Sequence, residues 1–269
     1  MAGACGYFIY SKLEDADGLA FGEIIGLPGL PVVLCFALLL TPLNWYLEAL
    51  KWRLCLKPVV RLEKNEALNA VLRGLSLNWV LPFSIGDFVG RILEIEKSAQ
   101  SVKSIILNKY VSLSVTIVLG SIGSFWYFDL VLFIPVLVML SGIVIMIATP
   151  RLFNRYANRH LLSLYLLTAI RYVVFTSQFI FIASLVVPDV SVSSWILGTP
   201  VVLAIKSVVP SFLGGIGLRE AATIAVFGLY TDNLGALTVA SLLIWMINIV
   251  IPSIYGLIPI ISYKMKFQG

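Results

Sequence analysis

The chain has 269 residues, of which 59% are hydrophobic and only 12% charged, with a mean hydropathy of +0.98. That excludes an ordinary soluble domain, where about a quarter of residues are charged, and indicates an all-α polytopic integral membrane protein. The formal charge of +5 comes from Lys and Arg interleaved with membrane-length apolar runs, which favours anionic lipid head groups as partners and argues against nucleic acid.

Residues 1–13 are apolar but shorter than the roughly 20 a spanning helix needs, and they lack the basic start and small-residue cleavage site of a signal peptide. Together with Glu14, Asp15, Asp17 and Glu23 they read as a helix stub and an acidic extracytoplasmic segment over 1–29. The first full span is expected over 30–50, followed by a basic run of Lys51, Arg53, Lys57, Arg61 and Lys64, with Trp52 and Arg53 as interfacial anchors.

Two short polar helical pieces are expected over 67–81 and 85–95, neither long enough to cross a bilayer. Spans follow at 105–126, 130–148, 161–187 and 237–263, with a second broken segment between the last two. The three cysteines, Cys5, Cys35 and Cys55, form no CxxC pair and read as small apolar residues. The single histidine, His160, falls in a basic loop beside Arg159, so neither a metal site nor any cofactor is expected. Tyr110, Trp126, Tyr127 and Tyr263 read as interface-belt aromatics.

Lys and Arg cluster after the first span, around Lys97 and Lys103, at Arg151, Arg155 and Arg159, and at Lys264 and Lys266, while Asp129, Asp189 and Asp232 mark the other side. The positive-inside rule then puts the C-terminus in the cytoplasm. The first hairpin, 67–96, enters from the cytoplasm and the second, 193–231, from outside, within a single transmembrane domain of a multi-pass cell-membrane protein. Pro82, Gly86 and Arg91 in the first match Pro210, Gly214 and Arg219 in the second, each arginine nine residues after its proline. Opposite entry with matched breaks suggests two re-entrant hairpins related as an inverted repeat, although Pro-Gly breaks also recur in membrane helices for packing reasons.

The charges expected within or beside the embedded parts are Glu48, Arg73, Asp87, Arg91, Lys109, Arg171, Lys206, Arg219 and Glu220, six basic against three acidic. An ionised side chain at membrane depth costs at least ~2.5 kcal/mol, so surplus cations imply a watery cavity or an anionic ligand, for which arginine's planar fork suits phosphate. At the second break, Pro210 ends one helix, and Gly214, Gly215 and Gly217 allow a tight turn. The helix restarting near Leu218 aims its free N–H groups into the break, beside Arg219 and Lys206, an arrangement suited to an anion. Glu220 either pairs with a cation across the bundle or caps that helix. Asp87 and Arg91, four apart on one helical face, either pair with each other or touch ligand. Arg171 shares a polar stripe with Thr168 and Gln178 that should face the bundle interior, while Ser241, Asn248, Pro252 and Tyr255 on the last span are explained by interhelical hydrogen bonds and a kink.

These residues carry a resemblance. The run from Pro210 through Gly214, Gly215 and Gly217 to Arg219 and Glu220 resembles the P-x-x-GG-x-G-x-R-E element of the flippase-like family named for the transmembrane region of lysylphosphatidylglycerol synthase. Asn78, Pro82, Gly86, Asp87 and Arg91 are similar to its earlier element, and Glu48 to Arg53 are similar to its E-x-x-x-R-W span end, with the order here Lys51, Trp52, Arg53. Members usually begin with a complete helix, in contrast to residues 1–13. The resemblance implies a lipid translocator, or the flippase half of an enzyme whose soluble synthase domain lies elsewhere.

The expected function is thus transport of an anionic phospholipid or polyprenyl-phosphate lipid, with Lys206, Arg219, Glu220, Arg91, Asp87, Arg171 and Glu48 around the head group, and a homo-oligomer or a partner synthase as compatible protein partners. The alternatives are a membrane glycosyl- or acyltransferase acting on a lipid-linked substrate, and a scaffold that transports nothing. No GxxxxGK[ST] element is present to supply nucleotide energy.

Overall fold

The computed structural model describes residues 24–81, 84–93, 95, 98–127, 133–152, 155–209 and 215–267. Among them every regular element is helical: α1 Leu30–Leu56, α2 Lys64–Leu77, α3 Ile85–Ile92, α4 Ala99–Tyr127, α5 Phe133–Leu152, α6 Arg155–Val186, α7 Val192–Val208, α8 Leu218–Phe227, α9 Leu234–Trp245 and α10 Ile251–Phe267. A π-helical turn, Met246–Val250, joins the last two. Among the described residues, four stretches are long and apolar enough to cross a membrane: Leu30–Leu56, Ala99–Phe125, His160–Val186 and Leu234–Ile258. The protein is therefore an all-α, multi-pass membrane protein. The 130–148 span corresponds to α5. The expected stub over 1–13 and the acidic segment after it as far as Glu23, and Pro82, Pro210 and Gly214 at the two breaks, lie outside the described residues.

Local chemistry explains the boundaries. Helix α6 has no Gly or Pro across its 32 residues, and it stops just before Pro188. Ser191 then caps α7, its Oγ accepting the Ser194 N–H at 3.1 Å, and Asn233 caps α9 by accepting the Ala236 N–H at 3.1 Å. The π turn precedes Pro252, which has no N–H for the Asn248 carbonyl; Trp45 Nε1 on α1 donates to that carbonyl instead, at 3.0 Å. The deviation is thus satisfied by a neighbouring helix, as backbone groups at membrane depth must be.

Two readings of the sequence need correction here. Helix α1 runs on to Leu56, so Lys51 and Trp52 are not in a basic flank: both are buried within the bundle. The basic loop around His160 is helix instead, since α5 ends at Leu152 and α6 starts at Arg155, a layout the run of leucines after His160 already favours over a loop.

Packing divides α1 into three zones. Its first turns join a large apolar cluster with Phe179, Ile182, Trp195, Phe227 and Ile244, and its last turns join a second cluster with Val71, Ile105, Val111 and Leu164. Between these clusters lies a polar layer of Thr41, Asn44 and Glu48, all buried. Helices α1 and α6 run antiparallel, because Gln178 donates to Ala37 O at 2.7 Å and Thr41 Oγ1 at 3.1 Å while Arg171 reaches Asn44 and Glu48. The Thr168, Arg171, Gln178 stripe therefore faces inward along α1.

Helices α2 and α3 form an antiparallel hairpin pressed backbone to backbone. A Cβ on Gly74 would stand 2.7 Å from Asp87 Cα, so only glycine permits this approach. Ser84, at φ 59°, turns the chain into α3, and Asn78 Oδ1 accepts the Asp87 N–H at 3.0 Å. At 14 and 8 residues, or roughly 21 and 12 Å at ~1.5 Å per residue, neither helix reaches across a ~30 Å hydrocarbon core.

Candidate functional site

Glu48 is the centre of the polar layer. It is 4% exposed, and four side chains converge on it, three from other helices and one from its own. Oε1 accepts from Arg91 Nη2 at 2.8 Å and from Asn108 Nδ2 at 2.9 Å; Oε2 accepts from Lys51 Nζ and Arg171 Nη1, each at 2.9 Å. One carboxylate thus ties α1 to α3, α4 and α6. Arg91 also donates Nε to Asp87 Oδ1 at 2.9 Å, and Lys109 forms an ion pair with Asp87 Oδ2. Arg91 lies 5.1 Å from the Trp52 ring centroid and Arg171 5.2 Å from that of Trp45, so both guanidinium planes are supported by indoles as well as by acids. Behind Arg171, Asn44 accepts its Nε at 3.1 Å and donates Nδ2 to Asn248 Oδ1 at 3.0 Å, which links the network to the last span.

The layer opens into a cavity of about 980 Å³ between α1, α3, α4, α6 and the end of α7. Its wall carries two carboxylates, Glu48 and Asp87, against four cations, Arg91, Lys109, Arg171 and Lys206. Lys51 adds a further buried cation just behind Glu48. Pairing is uneven across this set. Arg91 is enclosed between both carboxylates, Arg171 keeps 27% of its side chain exposed, Lys109 keeps 47%, and the Lys206 side chain makes no hydrogen bond or ion pair among the described residues. The lining residues Ile85, Ile106, Tyr110 and Val208 are exposed, so the cavity's open side has an apolar rim.

A second charged centre lies at the start of α8. Gly215 and Gly217 take φ of 86° and 83°, conformations that only glycine adopts cheaply, and the chain enters α8 at Leu218. Glu220 does cap this helix: its Oε2 accepts the Gly217 N–H at 2.6 Å, and its Oε1 accepts Ser241 Oγ at 3.0 Å. Arg219 beside it is fully buried, and among the described residues none of its three guanidinium nitrogens has a hydrogen-bond partner; the Glu220 carboxylate lies 3.9 Å from Nε. An arginine so placed is a costly feature unless an anion completes it.

Of the residues singled out in the sequence, Glu48, Asp87, Arg91, Arg171 and Lys206 share one cavity wall, whereas Arg219 and Glu220 are not among the residues lining it. Asp87 and Arg91 do pair, and both also contact further charges. Sequence reasoning missed Lys51, Asn108 and Trp52, and it gave Lys109 no role. The E-x-x-K spacing of Glu48 and Lys51 was the available signal for the first of these, since residues three apart meet on a helix. Nothing local marks Asn108 as a neighbour of Glu48, 60 residues away. All three embedded carboxylates are engaged: Glu48 by three cations, Asp87 by two, and Glu220 by a helix start and a serine.

A comparison with curated proteins finds none that matches the chain. A family model does match, covering residues 11–164, which include α1, the α2/α3 hairpin, α4 and α5 and so the Glu48, Asp87, Arg91 and Lys109 part of the cavity wall. With an all-helical membrane bundle, a buried charge layer and a match over more than half its length, the chain belongs to the family of the lysylphosphatidylglycerol synthase transmembrane region.

Proposed function

We propose that this protein moves an anionic, phosphate-bearing lipid across the bilayer, the head group passing through the charged cavity while the acyl chains stay in the surrounding lipid at its apolar rim. The observation that carries this reading is Lys206, a cation on the wall of an approximately 980 Å³ cavity whose side chain has no hydrogen-bond or ion-pair partner among the described residues. Four wall cations against two carboxylates leave room for about one phosphate. Lys206, Lys109 and Arg171, the incompletely buried or unpaired members, are the direct ligands, and Arg91 and Lys51 hold Glu48 in place behind them. Arg219 offers a second station for the phosphate near the start of α8. A phospholipid and a polyprenyl phosphate share this head-group chemistry.

The α2/α3 hairpin and the α7/α8 pair act in this reading as two re-entrant elements of one transmembrane domain, related as an inverted repeat, with the C-terminus in the cytoplasm of a cell-membrane protein. The short lengths of α2, α3 and α8 and the alternation of basic and acidic turns support that layout. Movement is driven by a gradient, a partner synthase or equilibration.

The test is transfer of fluorescent phosphatidylglycerol between leaflets of liposomes containing the full chain, read by dithionite quenching. The chain is expected to raise the rate above that of protein-free liposomes. Lys206→Gln is expected to slow it by roughly 10- to 150-fold, since a hydrogen bond to a charged group contributes ~1.5–3 kcal/mol. A Lys206→Gln rate equal to the original, or no acceleration by the unmodified chain, would overturn the reading.

A further inference from the structure

A second groove, which shares no lining residue with the charged cavity, lies at the far end of α1. It measures about 530 Å³ and is lined by Leu50, Arg53, Leu54 and Lys57 from α1 and its C-cap, Arg61 and Leu62 from the following turn, and Leu167 from α6. The first four are spaced i, i+3, i+4, i+7 and so form one helical stripe. The groove therefore has two characters: leucines make its floor, and three exposed cations stand over them with no acid in the lining. Arg53 is held in position, because its Nε donates to Leu62 O at 2.7 Å, which fastens the turn over the helix end and leaves the rest of the guanidinium for another partner. In the segment that follows, the Glu66 carboxylate accepts the Glu63 N–H at 2.8 Å, where it caps α2.

Length puts this groove at head-group level. The 27 residues of α1 extend roughly 40 Å at ~1.5 Å per residue, about 10 Å more than a ~30 Å hydrocarbon core, and the exposed Arg53, Lys57 and Arg61 mark this end as the one that reaches the interface. From this we infer that the groove is a site for a single anionic phospholipid, its phosphate between Arg53, Lys57 and Arg61 and an acyl chain along Leu50, Leu54 and Leu167. A soluble phosphate would leave the leucine floor wet, and a zwitterionic lipid would add a fourth cation beside Arg53, Lys57 and Arg61. The volume falls within the ~300–1,000 Å³ usual for small-molecule sites. The bound lipid would brace α1 against α6 at the end of the bundle remote from the large apolar cluster.

The experiment is photolabelling of the purified full chain with a phosphatidylglycerol carrying a diazirine in its acyl chain, followed by peptide mapping. Labelling is expected within 50–62 or near Leu167, competed by unlabelled phosphatidylglycerol but not by phosphatidylcholine or glycerol phosphate. Each basic residue near the membrane surface adds roughly a fivefold affinity for anionic lipid, so the triple variant Arg53→Gln, Lys57→Gln, Arg61→Gln should weaken competition on the order of a hundredfold. The double variant Lys57→Gln, Arg61→Gln keeps the Arg53 to Leu62 bond, so it separates lost lipid affinity from a loosened turn; a reduction on the order of tens of fold is expected. Lys206→Gln should leave this labelling unchanged. Labelling that survives the double and triple variants, equal competition by phosphatidylcholine, or competition by glycerol phosphate alone would each overturn the assignment.

Discussion

Replacing Glu48 by Gln removes one charge with almost no change of shape, and it tests whether the polar layer is held by that carboxylate. In the native bundle Glu48 faces Lys51, Arg91 and Arg171 at 2.8–2.9 Å. Arg91 would keep Asp87, and Arg171, still partly exposed, would keep Asn44, but Lys51 is 1% exposed and would lose the carboxylate it pairs with, the only one it has among the described residues. Removing one partner of a buried pair costs ~3–5 kcal/mol, because the remaining charge stays desolvated. At about 2–4 °C per kcal/mol for a domain of this order of size, the thermal midpoint should fall by roughly 6–20 °C. Tryptophan fluorescence of the detergent-purified chain would read it, since Trp45 and Trp52 flank the layer. Combining Glu48→Gln with Lys51→Met should recover part of the loss, because the stranded cation is then gone. A midpoint change under about 2 °C, or additive losses in the double variant, would refute the argument.

Other substitutions probe separate joints. Gly74→Ala forces a methyl against Asp87 Cα, 2.7 Å away, and should cost at least ~1–3 kcal/mol in thermal stability while reducing lipid transfer by displacing α3. Trp45→Phe strips the Asn248 carbonyl of its side-chain donor beside the π turn; a loss of ~1–2 kcal/mol is expected in a chemical-denaturation series, and Trp45→Phe with Pro252→Ala should lose less than Trp45→Phe alone, since the α-helical donor returns. Gly217→Ala places a side chain at φ 83° and should lower the thermal midpoint by the equivalent of ~1–2 kcal/mol, whereas Ala221→Gly in the same helix should cost less, ~1 kcal/mol.

How far the sequence revealed this arrangement depended on whether the signal was local. The apolar runs marked the spans because hydropathy is summed along the chain, and the Arg171 stripe was legible because its members repeat on one helical face. Glu48 stood out as an acid that no flank explained. Its partners Asn108 and Arg171 were not assignable to it, since they meet it only when α4 and α6 pack on α1, 60 and 123 residues away. Lys51 was misread for a related reason: a lysine after an apolar run looks like the end of a span until the helix is seen to continue. Trp52 followed it, appearing to belong at the interface while in the bundle it lies beneath Arg91. The close approach of α2 and α3 was written in Gly74, Gly86 and Gly90, but glycines within helices carry no information about which backbone they will meet.

The central claim is that the cavity bounded by Glu48, Asp87, Lys109, Arg171 and Lys206 receives a lipid phosphate. The most direct measurement is an experimental structure of the full chain in nanodiscs rich in phosphatidylglycerol. The account predicts head-group density at ~2.7–2.9 Å from Lys206 Nζ, the length of a charge-assisted hydrogen bond, with its tails leaving between Ile106 and Val208. A cavity holding only water, or Lys206 neutralised by a carboxylate of the chain itself, would contradict it.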